Sequence, residues 1–194
     1  AILAMIDETP NFNKLRVDPV QKIILISATR HDQTTFYSET ALGKTLKQSN
    51  DSSIFDTKIF FRNTKGLPEC YNQVIDEQGH PEDILIFVHD DVFILDFFWC
   101  KTVTDGLSKF EVIGVAGNKN RSPSQPSWHF ILSDKAPGLN WDIQTNLSGI
   151  VGHGDSFPPY ISNYGPSLQR CKLLDGVFLA TTRNIFLNLS LIHI

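Results

Sequence analysis

Three ionisable residues in a row, His89, Asp90 and Asp91, stand between two apolar runs, Ile84–Val88 and Val92–Leu95. Such groups are costly to bury without partners, so the chain must lead them to an open surface or pair them. The five apolar residues Ile84–Val88 predict a strand buried on both faces, as in the middle of a parallel sheet. A strand of that kind delivers the residues after it to the crevice at its C-terminal end, where open α/β sheets bind ligands. Neighbouring carboxylates repel each other unless a cation lies beside them. With an imidazole they offer oxygen and nitrogen ligands to a divalent metal. The plainer alternatives are that Asp91 caps the next helix and that His89 is a hydrogen-bonded structural histidine.

The surrounding elements must position these groups. Lys22–Ser27 reads as a first strand ending in the polar cluster Ala28–Asp32. Thr34 or Thr35 predicts the cap of a helix running to about Gln48, followed by a turn at Asn50–Ser53 and a second strand over Phe55–Arg62. A loop with Gly66 and Pro68 enters a helix ending near Gln78. After the central strand come a short helix over Phe97–Leu107 and a strand over Glu111–Ala116. Strand and helix thus alternate from residue 22 to about 116, which predicts an α/β layer architecture with a mostly parallel sheet flanked by helices. Three strand ends then converge on one edge: Thr29–Asp32, His89–Asp91 and Gly117–Arg121.

Residues 122–170 are rich in Pro, Ser, Gly and Asn and form a long irregular insertion, with hairpin strands expected around Trp128–Ser133 and Ile143–Val151. Trp128, Trp141 and Tyr160 are its large aromatic anchors, and the two tryptophans are also of a kind to stack on an acceptor sugar ring. His153-Gly154-Asp155 offers a second set of metal-ligand types, although Gly-flanked His and Asp in such a loop usually mean a solvated turn. Lys172–Ala180 reads as a strand interrupted by Asp175 and Gly176. Residues 1–21 are expected to be a leader without clear pattern, and 184–194 an apolar tail that stops as a truncated chain would.

Composition excludes several classes. Seventeen Lys and Arg against 21 Asp and Glu leave a formal charge of −4. No basic excess argues for a nucleic-acid groove or an anionic membrane surface. Fourteen phenylalanines without a basic stripe are core filling rather than a base-stacking platform. No apolar run approaches the ~20 residues that span a bilayer, and Asp7 and Glu8 interrupt any secretory signal. Cys70, Cys100 and Cys171 make neither a disulfide framework nor a zinc pattern and fit a reducing, cytoplasmic setting. Four Asn-x-Ser sequons, at Asn50, Asn120, Asn146 and Asn188, are expected by chance in a chain rich in Asn and Ser.

The order of the motifs resembles the nucleotide-sugar half of a GT-A glycosyltransferase, in a glycosyltransferase-like group related to family 2. The resemblance rests on Ile23–Arg30, Gly66-Leu67-Pro68-Glu69-Cys70-Tyr71-Asn72, Phe87-Val88-His89-Asp90-Asp91-Val92, Gly114-Val115-Ala116-Gly117 and Leu174-Asp175-Gly176-Val177-Phe178. It covers residues 22–183. It implies a Rossmann-like GT-A domain that transfers a sugar from a nucleoside diphosphate sugar, UDP more commonly than GDP, to a glycan or other hydroxyl acceptor. The donor contacts it implies are Ser27, Thr29, Arg30, Asn72, Asp90 and Lys119, with Arg121 as a further cation. A Mn²⁺ or Mg²⁺ would be held by Asp91 and His89, where His89 replaces the first Asp of the family's Asp-x-Asp. Asp175 is the candidate base that deprotonates the acceptor, although Asp-Gly is also an ordinary turn dipeptide. Arg30 has the alternative of a surface ion pair.

Two other classes compete with this reading. One is a non-catalytic nucleotide-sugar or glycan-binding module that keeps the fold. The other is a metal-dependent phosphohydrolase built on His89 and Asp90, disfavoured because the pair ends a strand and the other histidines lack helical ligand spacing. A dinucleotide-binding Rossmann protein is discounted, because Ser27-Ala28-Thr29-Arg30 stands where Gly-x-Gly-x-x-Gly would come after the first strand.

Overall fold

The structure is a computed structural model that describes residues 21–48, 54–133, 136–154 and 158–188. The leader up to residue 20, the turn Asn50–Ser53, Asp155 and the tail beyond residue 188 lie outside the described residues. The chain forms a mixed α/β fold. Its main sheet has five strands in the order β2 (Asp56–Phe60), β1 (Ile23–Ala28), β3 (Ile84–Val88), β11 (Phe178–Thr182) and β4 (Val112–Gly114). The pairings β1–β2 and β1–β3 are parallel; β11 runs antiparallel to both β3 and β4. The sheet is therefore mixed, and the expectation of a mostly parallel one holds only for its β2–β1–β3 half.

All five residues of β3 are buried, as its unbroken apolar run requires. Alternate residues point to opposite faces, and each face has its own core. Leu25, Ile84, Ile86, Val88, Phe178 and Ala180 pack on one side with Phe36, Leu42, Trp99 and Val103, which come from α1 (Gln33–Glu39), α2 (Ala41–Gln48) and α4 (Trp99–Leu107). Ile26, Leu85 and Phe87 pack on the other with Tyr71, Val74 and Ile75 of α3 (Leu67–Asp76) and Phe186 of α5 (Arg183–Asn188). On that face Tyr71 stacks on Phe87 at 4.3 Å and Phe186 meets Phe87 edge-on at 4.9 Å.

The single helix expected to Gln48 is two helices. Asp32, not Thr34 or Thr35, caps the first by accepting from Thr35 N at 2.9 Å. Thr40 breaks the run in an extended conformation, donates its hydroxyl to Phe36 O and accepts from Gly43 N. Gly43 permits the tight corner, since a Cβ there would lie 2.0 Å from Phe36 O.

The strand expected over Glu111–Ala116 divides at Val115. Its second half, β5 (Ala116–Asn118), enters a separate antiparallel sheet in the order β10 (Leu173–Leu174), β5, β8 (Leu147–His153) and β9 (Tyr160–Gly165). Gly149 makes this crossing possible: its φ is +111°, and a Cβ would meet Val115 O at 2.3 Å. Among the described residues the insertion thus carries four strands, β8 and β9 in this sheet and a further hairpin of β6 (Phe130–Ser133) and β7 (Ala136–Trp141).

Arg183 ties α5 to the end of α3. Its buried guanidinium donates from Nη1 to Val74 O, Ile75 O and Glu77 O at 2.6, 2.9 and 3.1 Å, capping carbonyls that the helix leaves open. Replacing Arg183 by Met should lower stability by about 2–4 kcal/mol, as expected for losing charged hydrogen bonds to buried carbonyls. Urea unfolding checks this; an unchanged midpoint and slope would show that the cap carries no weight.

Candidate active site

The parallel half of the sheet brings three strand ends to one edge. After β1 come Thr29, Arg30 and His31; after β2, Arg62, Asn63, Thr64 and Lys65; after β3, His89 and Asp90. Backbone hydrogen bonds lace the first two loops together: Thr29 N to Phe60 O, Asn63 N to Thr29 O and Arg62 N to His31 O, at 2.8–2.9 Å. Arg62 is held there in a left-handed conformation with φ 50°, uncommon for a residue with a side chain. The loops surround a cleft of about 800 Å³.

The cleft is lined by three permanently cationic side chains, Arg30, Arg62 and Lys65, and by one carboxylate, Asp90. Arg62 pairs with Asp32 at 3.4 Å and Lys65 with Glu69 at 2.9 Å, both in solvent, where such pairs are weak. Among the described residues no acid pairs with Arg30. The Thr35 amide, and then Arg62, hold the Asp32 carboxyl below its ordinary value. The edge therefore offers one cation, Arg30, with no acid paired to it among the described residues, and two held by exposed acids, with backbone donors around them.

The turn after β3 divides the His-Asp-Asp triplet. Val92 N closes onto His89 O, and Leu42 N of α2 donates to Asp90 O. Asp90 is half-buried and faces the cleft, whereas Asp91 is exposed and off the cleft lining. Asp91 is no helix cap either: Asp96 accepts from Phe98 N and from the Thr102 hydroxyl at the start of α4. On α3, the Tyr71 hydroxyl has no hydrogen-bond partner among the described residues. Burial chiefly, then Cys70 and Asp90, push that phenol's pKa up.

No three His, Cys, Asp or Glu side chains gather closely enough to hold a metal ion among the described residues. The expected ligands His89 and Asp91 thus have no third His, Cys, Asp or Glu gathered with them among the described residues.

Asp175 reaches the same edge from the far side. Its backbone N donates to Ala116 O at 2.9 Å and its Oδ1 accepts from Val177 N at 3.1 Å. Val177 O in turn accepts from His89 N at 3.1 Å. This knot, rather than a strand continuing through it, explains the interruption at Asp175 and Gly176: β10 and β11 belong to different sheets.

Three expected donor contacts lie elsewhere. Ser27 is fully buried, and its hydroxyl has no partner among the described residues. Asn72 is half-buried on α3, off the cleft lining. Lys119 leaves β5 within the second sheet, where its N donates to Asn146 O and its charge acts on the Cys171 thiol; neither it nor Arg121 lines the cleft. The strand end at Gly117–Arg121 therefore leaves the edge on which the other two converge. Of the residues expected to contact a donor, Thr29, Arg30 and Asp90 line the cleft, and His31, Arg62, Asn63 and Lys65 line it with them. The basic, polar run after the second strand was their signal. His153 is exposed, and its expected companion Asp155 lies outside the described residues.

The insertion is fastened to β5 by Asn118, whose side chain is fully buried. Its Nδ2 donates to Trp128 O at 2.8 Å and to Asp142 Oδ2 at 2.7 Å. Burial alone would raise the Asp142 carboxyl, but hydrogen bonds from Asn118, Asn146 and Ile143 N outweigh it and hold it low. Next to this hub, the His129 ring packs among Trp128, Phe130 and Trp141 at 4.1–4.8 Å, and its Nδ1 has no partner among the described residues. Compared with known proteins, the chain matches no protein-family model and no curated sequence.

Burial holds the His129 imidazole below its ordinary 6.5, against the pull of Asp175. The unfolded chain binds this proton at higher pH than the folded one. The neutral ring therefore favours the fold fully above the unfolded value, and that advantage is lost as pH falls through the lower folded value. Between pH 7 and pH 5 the urea midpoint should fall more steeply in the parent than in His129→Gln. Equal slopes would mean that the ring titrates as it does in the unfolded chain.

Proposed function

We propose that this edge binds a nucleoside diphosphate sugar and that the domain is a GT-A-type glycosyltransferase acting on a hydroxyl acceptor. The observation that carries the reading is a cleft with three cations around one carboxylate, with Asp175 held beside the same strand end. A diphosphate leaving group needs its developing negative charge stabilised, and preorganised cations and N–H donors do this best in a partly enclosed site. Arg30, with no acid paired to it among the described residues, can grip phosphate with its planar fork. Arg62 and Lys65 are held only by solvent-exposed partners that phosphate can outbid. Asp90 accepts hydrogen bonds from ribose or sugar hydroxyls. A Mg²⁺ or Mn²⁺ carried by the diphosphate, when bound, would add Lewis-acid stabilisation of the leaving group. Asp175 takes the proton of the acceptor hydroxyl.

Calorimetric titration of UDP and GDP, each with and without Mn²⁺, tests the reading. One nucleotide should bind with a Kd between about 1 μM and about 1 mM. Arg30→Ala should weaken it roughly tenfold, the worth of a charge-assisted hydrogen bond. Asp90→Asn should weaken binding of the nucleotide or of its sugar conjugate, while Asp91→Asn leaves both unchanged. Failure of both nucleotides to bind the folded protein overturns the reading. Binding without transfer to any hydroxyl acceptor would favour a non-catalytic nucleotide-sugar-binding module.

A further inference from the structure

The β6–β7 hairpin carries an apolar face that the donor cleft leaves unused. Phe130 is in register with Trp141, and Leu132 with Leu139. Alternation along each strand puts these four side chains on one face. Three of them are well exposed: Leu132 57%, Leu139 61% and Trp141 57%. Apolar groups grouped like this on a surface mark an interaction site more often than scattered ones do.

Position narrows the occupant. The hairpin and Asp175 both hang from β5. Asn118 Nδ2 donates to Trp128 O at 2.8 Å, and Ala116 O, two residues earlier, accepts from Asp175 N at 2.9 Å. Two residues of strand span about 7 Å. The root of the hairpin, with Trp128, His129 and Trp141, is therefore tethered to the same short strand that holds Asp175, and Leu132 and Leu139 lie further out along the hairpin. His129 packs against Trp141 at 4.8 Å, close enough to Asp175 to feel its charge. Asp175 has one oxygen engaged by Val177 N, and its Oδ2 has no partner among the described residues. Tyr164 lies beside the indole, nearly parallel to it at 6.2 Å. Aromatic faces with polar atoms nearby suit a ring with apolar C–H faces and a hydroxyl rim. The purely aliphatic pair Leu132 and Leu139 suits no hydroxyl.

We propose that this face is the acceptor platform and that the acceptor is amphiphilic: a sugar carried on an apolar group, with the sugar against Trp141 beside Asp175 and the apolar group along Leu139 and Leu132. This rests on the glycosyltransferase reading above. In the transfer, the acceptor hydroxyl gives its proton to Asp175 Oδ2 as its oxygen bonds to the donor's anomeric carbon. The bond from that carbon to the diphosphate breaks, and its electron pair leaves with the nucleotide.

The test is saturation-transfer NMR and tryptophan fluorescence with methyl and hexyl β-glycosides of glucose, galactose and N-acetylglucosamine, with UDP present. Affinity for one sugar should rise about fourfold per fully buried methylene, at least tenfold from methyl to hexyl. Leu139→Ser should abolish that chain-length gain and keep the methyl glycoside. Trp141→Ala should weaken both. Equal affinity for methyl and hexyl glycosides overturns the amphiphilic acceptor. Absence of all glycoside binding while UDP still binds overturns the platform and leaves the donor reading standing. Absence of UDP binding overturns the donor reading itself.

Discussion

The backbone of β3 sets most of this structure. All five of its residues are buried, and a buried amide or carbonyl without a partner costs about 1–3 kcal/mol. The strand must therefore be paired along both sides. On one side β1 runs parallel to it, with Ile23 opposite Ile84; on the other β11 runs antiparallel, with Phe178 opposite Val88. Because β11 is antiparallel, it begins where β3 ends. The residues just before it, Asp175 to Val177, are thereby delivered to the His89 end, and Val177 O closes the pairing by accepting from His89 N. A parallel strand in that place would have carried Asp175 to the opposite edge, among Lys22, Lys58 and Arg183.

Charge at the edge differs from charge in the chain. The molecule as a whole carries −4, yet the cleft gathers Arg30, Arg62 and Lys65 around a single acid. The two partnered cations face their acids in solvent, where screening and high dielectric weaken the pairing. A multiply charged anion entering the cleft can replace those partners at little loss. The fixed backbone ties between Thr29, His31, Phe60 and Asn63 hold the loops in place beforehand, so binding orders little further chain.

Much of the fold was legible where a single physical rule dominates. Unbroken apolar runs identified β1 and β3, and the polar residues at their ends identified the edge. That rule put Thr29, Arg30 and Asp90 at the edge, because the end of a parallel strand meets the crevice; their role as donor contacts was what the resemblance implied. The illegible part depends on contacts between distant segments. Asp90 rather than Asp91 faces the cleft because the turn is pinned by Val92 N and Leu42 N, which no local pattern announces. Ser27 looked available on sequence, but it sits inside a strand covered on both faces. Lys119 was lost to the edge because β5 leaves the main sheet at Val115, a crossing licensed by Gly149 far along the chain. Arg62 and Lys65 were within reach of the same strand-end reasoning, applied to β2.

The most direct measurement is a backbone amide shift map of the ¹⁵N-labelled chain titrated with UDP, with GDP in a parallel sample. If the cationic edge is the donor site, one nucleotide moves the amides of Thr29, His31, Asn63, Lys65 and Asp90 together, on one binding curve. Shifts confined to Lys22, Lys58, His80 and Arg183 at the opposite edge, or no shifts with either nucleotide, would contradict it.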